Sequence, residues 1–292
     1  MLAISCKEIC KSYQNIPVLK GVNLEIEAGE AFALIGKAGS GKSTLLNLLA
    51  GYSFPMSGRV RIFENEVGKP EVKKWTGYVP EDVRAYPNIT PLKLFYYTAA
   101  LYGINDVDYI LFLAERFELS MKRRDPMRRL NDEERKKTAI ITALLPKPQL
   151  LILDAPTKSL STRIKYILFD VLEELNHKGV SILVSGTDTG ELDFGFTQMA
   201  VLQDGLIGEV HSIGRQALQT GEVKKVTILC KNIPFGVLKQ LGGESVRLKD
   251  GKILFDYVGE INALLRALSK YDVEDIVIME QELSRQAVFQ GE

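Results

Sequence analysis

GKAGSGKST, residues 36–44, decides how the rest of the chain is read. Gly36, Gly41, Lys42 and Ser43 fit the pattern G-x-x-x-x-G-K-[ST]. Holding phosphate requires these residue types. Glycines let successive backbone N–H groups turn inward around an anion, and the N-terminus of a following helix adds partial positive charge. Lys42 would reach the β- and γ-phosphates of a nucleotide, and the Ser43 hydroxyl would hold Mg2+. The flanks agree: AFALIG (31–36) reads as a buried strand ending at the loop, and LLNLLAGY (45–52) as a helix leaving it.

Such a loop needs an acid at the end of a neighbouring strand, to organise Mg2+ and its water. QLLILD (149–154) supplies one in Asp154. Further out, PMSGRVRIF (55–63) reads as a turn into a strand, and residues 91–128 as mostly helical. LNDEERKKTAIITALL (130–145) reads as a helix whose N-cap is Asn131, with Glu134 three residues later completing a capping box. TRIKYILFDVLEELNHKG (162–179) reads as an amphipathic helix, VSILVSG (180–186) as a strand and TQMAVLQDGLI (197–207) as a strand with a DG turn. Strands alternating with helices imply a parallel or mixed α/β sheet.

The composition shifts near GEVKK (221–225). Beyond it come strand KKVTIL, helix PFGVLKQL, hairpin ESVRLKDGKILFDYV with Asp250-Gly251 at the turn, a helix with Ile261, Leu264, Leu265 and Leu268 on one face, and strand VEDIVIM. The expected division is therefore a first domain over 1–218, with a helical subdomain at about 85–145, and a small α+β accessory domain over 222–292. With 37 Lys+Arg against 37 Asp+Glu, the net charge gives no support to nucleic-acid binding. No apolar run approaches the roughly 20 residues that cross a bilayer. Three cysteines fit a reduced cytosol better than a disulfide framework.

From residue 1 to about 210 the chain resembles the nucleotide-binding subunits of ABC transporters. KSYQNIPVLKGVNLEIEAGEAFALIGKAGSGKST (11–44) is close to that family's opening from end to end. The resemblance implies an α/β P-loop NTPase fold of the ABC-cassette type, ATP and Mg2+ as cofactors, and a cytoplasmic position on the inner membrane face. It also implies separate transmembrane subunits and a second nucleotide-binding subunit as partners. It places Tyr13 where an aromatic stacks on adenine. It assigns Gly36, Lys37, Ala38, Gly39, Ser40, Gly41, Lys42, Ser43, Thr44 and Asp154 to the nucleotide, and Ser43, Glu81 and Asp154 to the metal. Glu81, in GYVPEDVRAYPNIT (77–90), stands where the family usually has glutamine, and either side chain offers an oxygen.

Four positions depart from the family, and all concern the reaction. LNDEE (130–134) replaces the Leu-Ser-Gly-Gly-Gln segment that contacts the γ-phosphate held by the opposite subunit. Asp132, Glu133 and Glu134 are expected to face that phosphate. At an effective dielectric near 20 and a separation of about 5 Å, each like-charge contact costs about 3 kcal/mol before screening. The same acids favour the helix start, because its N-terminus is positive. Ala155 takes the place of the catalytic glutamate and Thr187 that of the phosphate-sensing histidine. Ser161 replaces an aspartate. A positioned general base contributes about 10²–10⁴ in rate, so hydrolysis is expected to be weak or absent. Two alternatives stay open: an active transport ATPase using an unrecognised base, Glu81 first, or residues of a partner, and a soluble ATP-sensing regulator.

Overall fold

The computed structural model describes residues 1–83, 87–187, 195–212, 224–230, 243–249, 252–257, 264, 268, 271 and 273–280. The chain divides into two compact units, Met1–Ile213 and Gly214–Glu292.

In the first unit, two long strands, β1 (Leu2–Tyr13) and β2 (Ile16–Glu27), pair antiparallel. The buried strand β3 (Ala31–Ile35) runs into helix α1 (Lys42–Leu49). Then come β4 (Ser57–Ile62), β5 (Asn65–Glu66), α2 (Pro70–Trp75) and β6 (Thr76–Val79). Three helices follow before the next strand: α3 (Pro91–Leu101), α4 (Val107–Arg116) and α5 (Asp132–Leu144). The unit continues with β7 (Leu150–Leu153), α6 (Thr162–His177), β8 (Ser181–Gly186), β9 (Gln198–Gln203), β10 (Leu206–Ile207) and β11 (His211–Ser212). Gly77–Val79, the start of GYVPEDVRAYPNIT, belong to β6. Val79 is fully buried, and a Cβ on Gly77 would fall 2.6 Å from the Ala143 carbonyl, so the backbone there packs too closely for a loop.

The main sheet has the order β10-β9-β3-β8-β7-β6, with β11 also on β9. Strands β9, β3, β8, β7 and β6 are mutually parallel. Both faces of this sheet are covered. In β3, Ala31, Ala33 and Ile35 join a core with α3–α6, while Phe32 and Leu34 join a second core with α1 and the β2-β1-β4-β5 sheet. Strands β3, β7 and β8 are therefore buried along their whole length rather than alternating. Ile35 is level with Gly186, Leu153 with Val184, and Val79 with Leu153. The residues just past these strands, Gly36, Asp154, Thr187 and Pro80–Glu81, consequently meet at one edge of the sheet, where open α/β sheets bind ligands.

In the second unit, β12 (Lys224–Cys230), β13 (Gly243–Lys249), β14 (Lys252–Tyr257) and β15 (Val273–Glu280) form an antiparallel sheet of order β13-β14-β12-β15. Val226, Ile228, Ile253 and Phe255 pack with the helical residues Leu264 and Leu268 in a separate core, giving a small α+β unit. The expected helix over 234–241, the Asp250-Gly251 turn, Ile261 and Leu265 lie outside the described residues.

Candidate functional site

The loop from β3 to α1 is built on close approaches. A Cβ on Gly36 would stand 2.3 Å from the Leu202 carbonyl oxygen. Gly41, the N-cap of α1, has φ 108°, and a Cβ there would meet Leu19 and Val18. Glycine alone fits such a turn without strain. Lys42 is 9% exposed, and its Nζ donates to the carbonyl oxygens of Gly36 (2.5 Å) and Lys37 (2.9 Å). Burial lowers its pKa, opposed by the nearby carboxylates of Asp154 and Glu81. Lys37, Ala38 and Gly39 are exposed. The buried Ser40 Oγ has no hydrogen-bond partner in the protein.

Asp154 follows β7 and is 2% exposed. Its Oδ1 accepts from Ser185 Oγ at 2.6 Å, and the same hydroxyl accepts from the Ala155 N–H at 3.0 Å. A cavity of about 230 Å³ brings Gly39, Gly41, Lys42, Ser43 and Thr44 together with Glu81 and Asp154. Ala155 and Thr187 line the same space, offering it a methyl group and a hydroxyl rather than an acid and an imidazole. The two histidines, His177 at the end of α6 and His211 in β11, are exposed. Tyr13 sits half exposed at the end of β1, with Lys11 Nζ 5.4 Å from its ring centroid.

The donors around the cavity suit a magnesium nucleotide. A glycine turn at a helix N-terminus, a lysine, a serine hydroxyl and a carboxylate are the hard-cation and phosphate partners such a ligand needs.

The acids at the start of α5 do not behave alike. Glu134 closes a capping box: Asn131 Oδ1 accepts from the Glu134 N–H at 2.8 Å, and Glu134 Oε2 accepts from the Asn131 N–H at 2.9 Å. Glu133 pairs with Lys137 (2.9 Å) and accepts from the Ser161 N–H (2.7 Å). Burial raises the Glu133 pKa, but the hydrogen bonds from Lys137 and Ser161 outweigh it, so the net shift is downward. Asp132 pairs with Arg135 at 3.2 Å and keeps a side chain 78% exposed. The capping box expected of Asn131 and Glu134 is thus formed, and Glu133 is tied to Lys137 and Ser161, while Asp132 is the most exposed of the three acids.

Two further lysines reach the site, and local sequence patterns do not point to them. Lys136 of α5 is 2% exposed, and its Nζ donates to the Pro80 (2.8 Å) and Glu81 (2.7 Å) carbonyls. Burial pulls its pKa down to about 8, against the attraction of Asp154, Glu81 and Asp82. Lys158 Nζ lies 2.6 Å from Glu81 Oε1.

The family model described as ABC transporter matches residues 19–158, from the second strand through the phosphate loop to the turn after Asp154. The chain is 30% identical to the lipoprotein-releasing system ATP-binding protein LolD of Desulfotalea psychrophila, over 72% of this chain and all of that one. The chain belongs to the ATP-binding subunits of ABC transporters. ATP and Mg2+ are accordingly its cofactors, and the P-loop NTPase fold is of the ABC-cassette type. Similarity extends over 96% of this chain, at 25% identity, to the linearmycin resistance ATP-binding protein LnrL of Bacillus subtilis, covering 83% of it. A bacterial ABC transporter cassette solved as a dimer superposes with a TM-score of 0.66 at 25% identity, over 72% of this chain and 99% of that one.

Proposed function

We propose that this ABC subunit binds Mg-ATP and uses it mainly as a ligand, with weak or absent hydrolysis of its own. One observation carries this: the groups that bind phosphate and metal converge on a cavity that Ala155 and Thr187 also line. Lys42 and the glycine backbone hold the phosphates, and Ser43 and Asp154 hold the metal. Mg2+ neutralises the phosphate oxygens when bound. Neither an alanine methyl group nor a threonine hydroxyl takes a proton from water near neutral pH. Glu81, the alternative base, already has its Oε1 engaged by the Lys158 ammonium.

Coupling to membrane subunits would use the face around Glu81 and α3. Among the described residues no helix is long and apolar enough to cross a membrane, which supports transport through separate membrane subunits. A cavity of about 340 Å³ lies on that face, with Tyr52, Lys73, Tyr78, Leu101 and Tyr102 among its lining residues. Tyr97 and Leu101 of α3 are each more than 60% exposed. Exposed apolar and aromatic side chains around a groove are common at protein docking sites. A peripheral position on the cytoplasmic face, pairing with a second cassette, and an accessory role for the second unit belong to the same proposal. Of the site assignments, Tyr13 would stack on the base.

The test is to load the full chain with Mg-ATP, separate it from free nucleotide, and identify what is bound after an hour. Recovery of intact ATP is expected. Recovery of ADP from the wild type but not from Lys42→Ala would overturn the proposal.

A further inference from the structure

The phosphate end of the cavity contains two carboxylates, Asp154 and Glu81. Asp154 is buried and fixed by Ser185. The divalent cation of a magnesium nucleotide takes one or two carboxylates, and Asp154 is the buried one here. Where Glu81 does not reach the cation, its charge repels an approaching terminal phosphate, with part of that repulsion screened because the side chain is 37% exposed. The carboxylate of Glu81 is not left alone. β6 and β7 are parallel neighbours with Val79 level with Leu153, so the segments leaving them run side by side. The turn after β7, in which the Lys158 N–H donates to the Ala155 carbonyl, sets Lys158 Nζ 2.6 Å from Glu81 Oε1.

Lys136 cannot serve in its place. Its ammonium is committed to the Pro80 and Glu81 carbonyls and is buried behind the loop. Lys42 is folded back on its own loop. Among the described residues Lys158 is therefore the cation paired directly with the Glu81 carboxylate, and it extends from the turn that also carries Ala155.

We propose that Lys158 is a specificity-determining residue of the nucleotide site: by neutralising Glu81 it admits the terminal phosphate of a nucleoside triphosphate, and so sets the preference for triphosphate over diphosphate. This rests on the Mg-ATP binding proposed above. A diphosphate lacks the group that would approach Glu81, so the pair matters little to it.

The experiment measures dissociation constants of Mg-ATP and Mg-ADP by calorimetry, for the full chain and for Lys158→Ala, Lys158→Arg, Glu81→Gln and the Glu81→Gln/Lys158→Ala double variant. Lys158→Ala is expected to weaken Mg-ATP about tenfold and Mg-ADP less than about threefold, from one uncompensated charge in a partly screened site. Lys158→Arg keeps the charge and the ratio. The double variant recovers most of the loss, because glutamine offers an oxygen without a charge. A purely structural role for Lys158 would weaken both nucleotides together and would not be rescued at Glu81. An unchanged ATP:ADP ratio in Lys158→Ala, or no recovery in the double variant, overturns the proposal while leaving Mg-ATP binding intact. A wild type that binds neither nucleotide contradicts the binding function itself.

Discussion

The loop between β3 and α1 and the start of α5 both lead into helix N-termini, yet they are satisfied in opposite ways. At α1 the N-cap is Gly41 in the left-handed region, no acid lies in the first turn, and the lysine follows at once. Its N–H groups are left for an anion. At α5 the N-cap is Asn131 and the first turn carries Asp132, Glu133 and Glu134. Those acids satisfy the helix with the protein's own charges: Glu134 caps the backbone, and Glu133 ties the helix to Ser161. One terminus is kept free for a ligand, and the other is filled by its own side chains. A helix start in a nucleotide-binding fold can thus be satisfied from within the chain rather than by a ligand.

If the α1 loop is the binding terminus, Lys42→Ala should have the largest effect. It removes the charge-assisted contact to the phosphates, and Mg-ATP affinity should fall about a hundredfold. Calorimetry checks this, and affinity within threefold of wild type would break the contrast. Next in size is Lys136→Met, which leaves the Pro80 and Glu81 carbonyls without their donor. Stability should drop by about 2 kcal/mol, read as a lower urea midpoint. An unchanged midpoint would mean that α5 is not anchored to that loop. Asn131→Ala should cost about 1 kcal/mol through loss of the cap, without a change in nucleotide affinity.

The smallest effect is a pH dependence. Glu133 titrates below its ordinary value of 4.5 in the folded chain. The unfolded chain then binds the proton first, so Glu133 contributes stability above its ordinary pKa, and this is lost as pH falls through the lowered value. Glu133→Gln should therefore flatten the fall in stability on the acid side of about pH 4.5, measured by urea unfolding at several pH values. Parallel profiles for wild type and variant would argue against the contacts to Lys137 and Ser161.

Local features of this contrast were legible in the sequence. The spacing of Gly36, Gly41 and Lys42 constrains one loop, and the spacing of Asn131 and Glu134 constrains one turn of helix. Both are contacts between residues close in the chain. The parallel strands were also legible, because β3, β7 and β8, covered on both faces, have to be continuous apolar runs. What stayed hidden was contact between distant segments. Glu133 and Ser161 are 28 residues apart, Lys136 and Pro80 are 56 apart, and Lys158 and Glu81 are 77 apart. These meetings depend on strand order and on the level at which parallel neighbours end. Residue spacing carries neither, so Glu133 could be read as an exposed acid when it is a bridge, and Lys158 could be overlooked. β6 carried no strand signal, because its four residues, TGYV, are too few to show a period.

The central claim is that binding has been kept and turnover has not. The most direct test measures Mg-ATP affinity and steady-state phosphate release on one purified sample, each beside Lys42→Ala. Micromolar binding by the wild type is expected, with phosphate release no faster than the variant's. Release well above that of Lys42→Ala would contradict it and would require a base other than the residue at 155.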